Sequence, residues 1–140
     1  MATLAIATRH EIAGAGIQAL LQTAGHSVVA HCSREDDLLR SLEAYRPDII
    51  ILAQNIVRQE GTETILRLRA RNCSVRIIFM LKERDASTLK GLLGLQVEGI
   101  LLSSACASRL IECVASVLQG RKWVDPELLR HLAIAEWAAG

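Results

Sequence analysis

Aromatic residues make up only 3% of this 140-residue chain, so Leu, Ile, Val and Ala must fill whatever core its 51% apolar content builds. A length of this order fits one domain with one sizeable core. Charge is nearly balanced, at a formal net charge of +1, and there is no electrostatic footprint for nucleic acid, which needs a basic patch or stripe. No apolar run approaches the ~18 residues of a spanning helix, and no basic segment followed by an apolar stretch opens the chain. The expected location is therefore the cytoplasm. Cys32, Cys73, Cys106 and Cys113 lack a C-x-x-C pair and any zinc spacing, so each reads as a reduced, small buried hydrophobe. His10, His26, His31 and His131 are scattered without an i, i+4 partner and read as rim or structural residues. No glycine-rich phosphate loop follows the first apolar run, because Gly14-Ala15-Gly16 falls inside a helical pattern. With no acid, base and nucleophile converging, an enzyme is the weakest functional reading.

What the chain does have is a regular alternation of short apolar runs with helical periodicity. Thr3 to Ala7 reads as a strand, and Ile12, Gly16, Ile17, Leu20 and Leu21 then recur at helical spacing. Gly14 and Gly16 weaken that helix, whose docking must come from its apolar face. Ser27 to Ala30 is a second strand, and Ser33 with Asp36 resembles a capping box opening a helix with Leu38, Leu39, Leu42 and Tyr45 inward. Arg46-Pro47-Asp48-Ile49-Ile50-Ile51-Leu52-Ala53 is the strongest strand signal, a four-residue aliphatic run of the kind buried on both faces of a parallel sheet. Thr62 to Ala70 follows as a helix carrying Ile65, Leu66 and Leu68, with Arg67, Arg69 and Arg71 crowding its end, where cations suit the helix dipole. Val75 to Met80 is the fourth strand, Asp85 to Leu95 the fourth helix, Glu98 to Leu102 the fifth strand and Ala107 to Leu118 the fifth helix. Five such units predict a doubly wound α/β fold with a parallel sheet, in which ligands and chemistry gather at the carboxyl ends of the strands. Asp125-Pro126-Glu127 starts one more helix, with Leu128, Leu132 and Trp137 on one face.

These segments resemble, along nearly the whole chain, the response-regulator receivers of the LuxR/NarL type. Thr3 to His10 matches the family's first strand and acidic turn, Arg46 to Gly61 its third strand and loop, Val75 to Lys82 the fourth strand and Gly99 to Ser104 the fifth. Gly120 to Leu129 resembles the segment that leaves such a receiver toward a helix-turn-helix domain. The resemblance implies a flavodoxin-like (βα)5 fold with strand order 2-1-3-4-5 and an extra C-terminal helix. It divides the chain into a receiver-like unit over 1–120 and a C-terminal linker and helix over 121–140.

At the family's functional positions the residues differ. Ala53 stands where receivers carry the phosphoryl-accepting aspartate, Thr8 and Arg9 where they carry the two metal-holding acids, Leu81 for the Ser or Thr, and Ser103 for the Lys. Val57 replaces the usual proline, and Ile100 the switch aromatic. The implied protein is an atypical receiver in signal transduction and transcription regulation. It is expected to work without phosphorylation, Mg²⁺ or another cofactor, by dimerising or docking onto a protein partner, with DNA reached only through a domain absent from this chain. The receiver faces used for association place Leu89, Leu92, Leu110 and Ile100 at the expected interface. The alternative expectation is a stand-alone small-molecule or anion sensor, with Arg9, Lys82, Ser103 and Ser104 as the anion contacts.

Overall fold

The computed structural model describes residues 2–57 and 61–139 of the chain, the last five of these by backbone alone. Strands and helices alternate: β1 (Thr3–Ala7), α1 (Glu11–Thr23), β2 (Ser27–Cys32), α2 (Glu35–Tyr45), β3 (Ile49–Ala53), α3 (Thr62–Arg71), β4 (Arg76–Leu81), α4 (Ala86–Gly94), β5 (Gly99–Leu102), α5 (Ala107–Leu118), β6 (Trp123–Val124) and α6 (Pro126–Ala139). All neighbouring strands pair in parallel, in the order β2-β1-β3-β4-β5-β6. No helix among the described residues is long and apolar enough to cross a membrane.

The period of two along each strand explains the unbroken aliphatic runs. Ile49 and Ile51 of β3, with Ile78 and Met80 of β4, enter the layer containing Leu21 of α1 and Leu110, Cys113, Val114 and Val117 of α5. Ile50 and Leu52, with Ile77 and Phe79, enter the opposite layer, against Leu38 and Leu42 of α2, Ile65 and Leu68 of α3, Leu89 and Leu92 of α4 and Leu128 of α6. Close approach is built in at Gly99, where an added Cβ would lie 2.9 Å from both Cys113 Sγ and Ile78 Cγ1.

The sheet has six strands, where five were expected. Trp123 and Val124 pair with Gly99 and Ile100, and two residues are too few to give any periodicity in the sequence. The segment expected to lead away from the body therefore continues into it. Asp125 fastens it there, with no side-chain exposure. One carboxylate oxygen accepts from the backbone N–H of Glu127 at 3.0 Å, as the helix N-cap requires, and from Arg109 Nη1 at 3.1 Å, while the other accepts from the backbone N–H of Leu102 at 3.1 Å. Leu128 is then fully buried and Leu132 packs beside it. The side chain of Trp137 lies outside the described residues.

Other expectations are corrected by burial. Leu89, Leu92, Leu110 and Ile100, expected at an interface, are core residues exposed by no more than 4%. The helix stripes put more surface against the chain's own sheet than their leucine content alone discloses. Conversely Ile12 and Tyr45, counted in the apolar stripes of their helices, are exposed at 91% and 59%, and Leu66 of α3 at 55%. The Ser33 capping box does not form, because β2 runs on to Cys32 and the N-cap of α2 is Arg34, without a side-chain cap. Glu35, Asp36 and Asp37 supply the negative charge that a helix N-terminus favours. The arginines of α3 are paired as well as solvated: Arg67 reaches Glu35 at 3.2 Å, Arg71 reaches Glu43 at 2.7 Å, and Arg69 donates to the carbonyls of Leu95 and Gln96.

Asp125→Ala should lose roughly 2–4 kcal/mol in a denaturant titration, since a cap is removed and the buried Leu102 N–H and Arg109 lose their acceptor. Burial pulls the pKa of His26 below its ordinary 6.5, and its Nδ1 accepts from the backbone N–H of Ala2 at 3.2 Å. The unfolded chain then binds the extra proton first, so stability should fall as pH drops below about 6.5 and level off below the folded value. Midpoints measured across that window in wild type and His26→Asn should show the slope in the former and a weaker one in the latter.

Candidate functional site at the carboxyl ends of the strands

The loops that leave β1, β3, β4 and β5 meet at one edge of the sheet; neutral side chains tie the first three together, and a backbone hydrogen bond holds the fourth. Thr8 follows β1, is buried, and its N–H donates to the Cys32 carbonyl at 3.0 Å. Asn55, two residues past β3, donates through Nδ2 to Thr8 Oγ1 at 3.1 Å and accepts from the Arg9 N–H at 3.0 Å, while Thr8 Oγ1 accepts from the His10 N–H at 3.2 Å. Gln54 joins β3 to β4: its N–H donates to the Met80 carbonyl at 3.0 Å and its Oε1 accepts from the Lys82 N–H at 2.9 Å. The Ser103 N–H donates to the Leu81 carbonyl at 2.8 Å. Gln54 and Asn55 did not stand out in the sequence. Their signal was a pair of amides directly after an aliphatic strand, at the edge where such folds place their chemistry.

Ala53 closes β3 with a buried methyl group at the head of a cleft of about 640 Å³ that runs between α1 and α5. Thr8, Gln54, Asn55, Lys82 and Ser103 line its open end. Leu81 is fully buried on the other face of the sheet. The four expected anion contacts do not come together. Lys82 and Ser103 line this cleft, whereas Arg9 lines a separate recess with Arg34, Glu35 and Asp36, and exposed Ser104 lines neither. Strand spacing alone could not reveal this, because Arg9 leaves β1 on the side of α2.

Among the described residues no three His, Cys, Asp or Glu side chains form a group that could hold a metal ion. The side-chain oxygen donors among the described residues lining the cleft are two hydroxyls and two amides, Thr8, Ser103, Gln54 and Asn55, and all but Ser103 already hold the loops. Mg²⁺ binds through carboxylates and substrate oxygens, so this donor set does not suit it.

The thiols divide into two pairs, which corrects the expectation that all four are buried. Cys32 and Cys113 are buried, Cys73 and Cys106 exposed. Burial pushes the Cys113 thiol up to about 12 and raises that of Cys32. Cys106, the N-cap residue of α5 and part of the cleft lining, is shifted down, chiefly by its contact with Ser108 Oγ at 3.1 Å.

An α/β sheet of this order with its loops gathered at the carboxyl edge defines a flavodoxin-like receiver fold. The response regulator receiver domain family matches residues 5–115, and the chain belongs to that family. It is 27% identical over 124 residues to the transcriptional regulatory protein DegU of Brevibacillus brevis, an alignment covering 88% of this chain and 52% of DegU. The chain thus spans about half the length of that relative. A two-component response regulator of the LuxR family from Aurantimonas superimposes with a TM-score of 0.89 at 19% identity, covering 97% of this chain and 98% of that one. The isolated REC domain of RcsB from Salmonella enterica serovar Typhimurium gives a TM-score of 0.85 at 21% identity, covering 94% and 98%. At those identities the likeness is one of fold.

Native alkylation with iodoacetamide at neutral pH should label Cys106 first and Cys73 next, leaving Cys32 and Cys113 unmodified until denaturant is added. Peptide mapping by mass spectrometry checks the order.

Proposed function

We propose that this receiver domain of a transcription regulator works without aspartyl phosphorylation. The observation that carries the reading is Ala53. The family resemblance sets it at the phosphoacceptor position, and a methyl group has no lone pair with which to attack phosphorus. Phosphoryl transfer also needs a cation or donors to neutralise charge on the transferred oxygens. Thr8, Leu81 and Ser103 supply no carboxylate to hold that cation, and Arg9 lines a recess on the α2 side of the edge. The domain performs no catalytic step of its own in this reading.

Its output is association with a second copy or a protein partner, under an equilibrium set by contacts and not by a phosphoryl group. With Leu89, Leu92 and Ile100 buried, the large apolar side chains left exposed on α4 and α6 among the described residues are Leu93, Leu129 and Ile134, at 39%, 48% and 60%. DNA contact belongs to a separate domain, in keeping with the transcriptional relative whose length this chain half spans.

Incubation with acetyl phosphate and Mg²⁺, followed by intact mass measurement, should give no acid-labile adduct in the wild type. Ala53→Asp should give none either, because the acceptor would return without its metal site. A stoichiometric adduct on the wild-type protein would overturn the reading.

A further inference from the structure

The cleft between α1 and α5 combines an apolar interior with a mouth at which the described lining carries one cation, Lys82. Ile17 and Leu20 of α1, Ile51 and Met80 of the sheet and Leu110 of α5 line its body. The space exists because small residues frame it: Ala13 and Gly16 on α1, Ala53 on β3 and Ala105 and Ala107 at the start of α5. A Cβ added at Gly16 would meet no atom within 4 Å. Its volume of about 640 Å³ falls within the range of ~300–1,000 Å³ typical of small-molecule sites.

Among the described residues lining the mouth, the one side chain of fixed charge is the Lys82 ammonium, and none is an Asp or Glu. Glu11, in the first turn of α1, is exposed and outside that lining. Both α1 and α5 begin at this end, with N-cap residues His10 and Cys106 that make no side-chain cap hydrogen bond. Their first N–H groups and the positive ends of their dipoles add to the charge of Lys82. The Ser103 hydroxyl and the Asn55 and Gln54 amides border the same opening.

We propose that this cleft binds a soluble small molecule with an apolar body and a single anionic head, a carboxylate or sulfonate. The body lies between α1 and α5, and the head sits against Lys82 and Ser103, over the Ala53 methyl. This deepens the phosphorylation-independent reading by giving the same strand edge a different input. It stands apart from it in the test, because binding here is read without phosphodonor and does not depend on the fate of any adduct.

The probe is 8-anilino-1-naphthalenesulfonate, titrated by fluorescence into the folded chain, with its uncharged analogue N-phenyl-1-naphthylamine in parallel. The expected result is one saturable site for the sulfonate, with the neutral analogue bound about tenfold or more weakly. Gly16→Leu should weaken sulfonate binding at least about tenfold by filling the cleft. That variant should fold, since Leu fits the open space at position 16 and favours a helix over Gly. Lys82→Gln should weaken it several-fold, and Leu66→Ser, at an exposed position of α3, should leave it unchanged. Alkylation of Cys106 at the rim should slow when the probe is bound, measured in a Cys73→Ser background. The proposal is overturned by the absence of saturable binding, by unchanged affinity in both Gly16→Leu and Lys82→Gln, or by equal affinity for the neutral analogue. It is equally overturned if Gly16→Leu disperses a dimer in sedimentation while probe binding is unaffected, which would make the cleft a contact between copies.

Discussion

The loops after β1, β3 and β4 at the carboxyl edge of this sheet are joined by hydrogen bonds from uncharged side chains, and Asn55 is the centre of that arrangement. Through one amide it bridges β1 and β3, giving a proton to Thr8 Oγ1 and taking one from the Arg9 N–H. Gln54 repeats the device between β3 and β4. An edge closed in this way needs no bound ion to hold its loops in register. Carboxylates clustered at the same place would repel one another and would need a cation to balance them. Neutral ties remove that requirement and leave Lys82 and two helix N-termini to set the sign of the potential.

The fold was legible because a parallel sheet buried on both faces writes itself as continuous aliphatic runs. Ile49 to Ala53 and Ile77 to Leu81 serve two cores at once, so neither alternates with polar residues. The helices were less legible in their orientation. Ile12 and Tyr45 fit an apolar stripe by spacing yet face solvent, while Leu89, Leu92 and Leu110 could have served a core or an interface equally well until their burial was known. β6 was illegible because two residues have no period, and because Asp125 identifies itself in sequence only as a helix cap. Its partners Leu102 and Arg109 lie 23 and 16 residues away.

At the candidate site the sequence named the residues at the strand ends and missed what holds them. Thr8, Ala53 and Ser103 do share one edge, and Arg9 does not join Lys82 there. That separation depends on which side of the sheet each loop leaves, which residue spacing does not encode. The Asp125 contacts give the edge its other boundary. By docking β6 and the first turns of α6 against β5, they bring Leu128 into the layer of Leu89 and Leu92 of α4, while the cleft lies on the α1–α5 side.

The central claim is that this edge is neutral to cationic and does not hold a divalent cation. It is tested most directly by backbone amide NMR of the folded chain during titration with Mg²⁺, and then with Mg²⁺ and beryllofluoride together. The amides of Thr8, Gln54, Asn55, Lys82 and Ser103 should show no saturable shift in either titration. Saturable shifts confined to those amides would contradict the account.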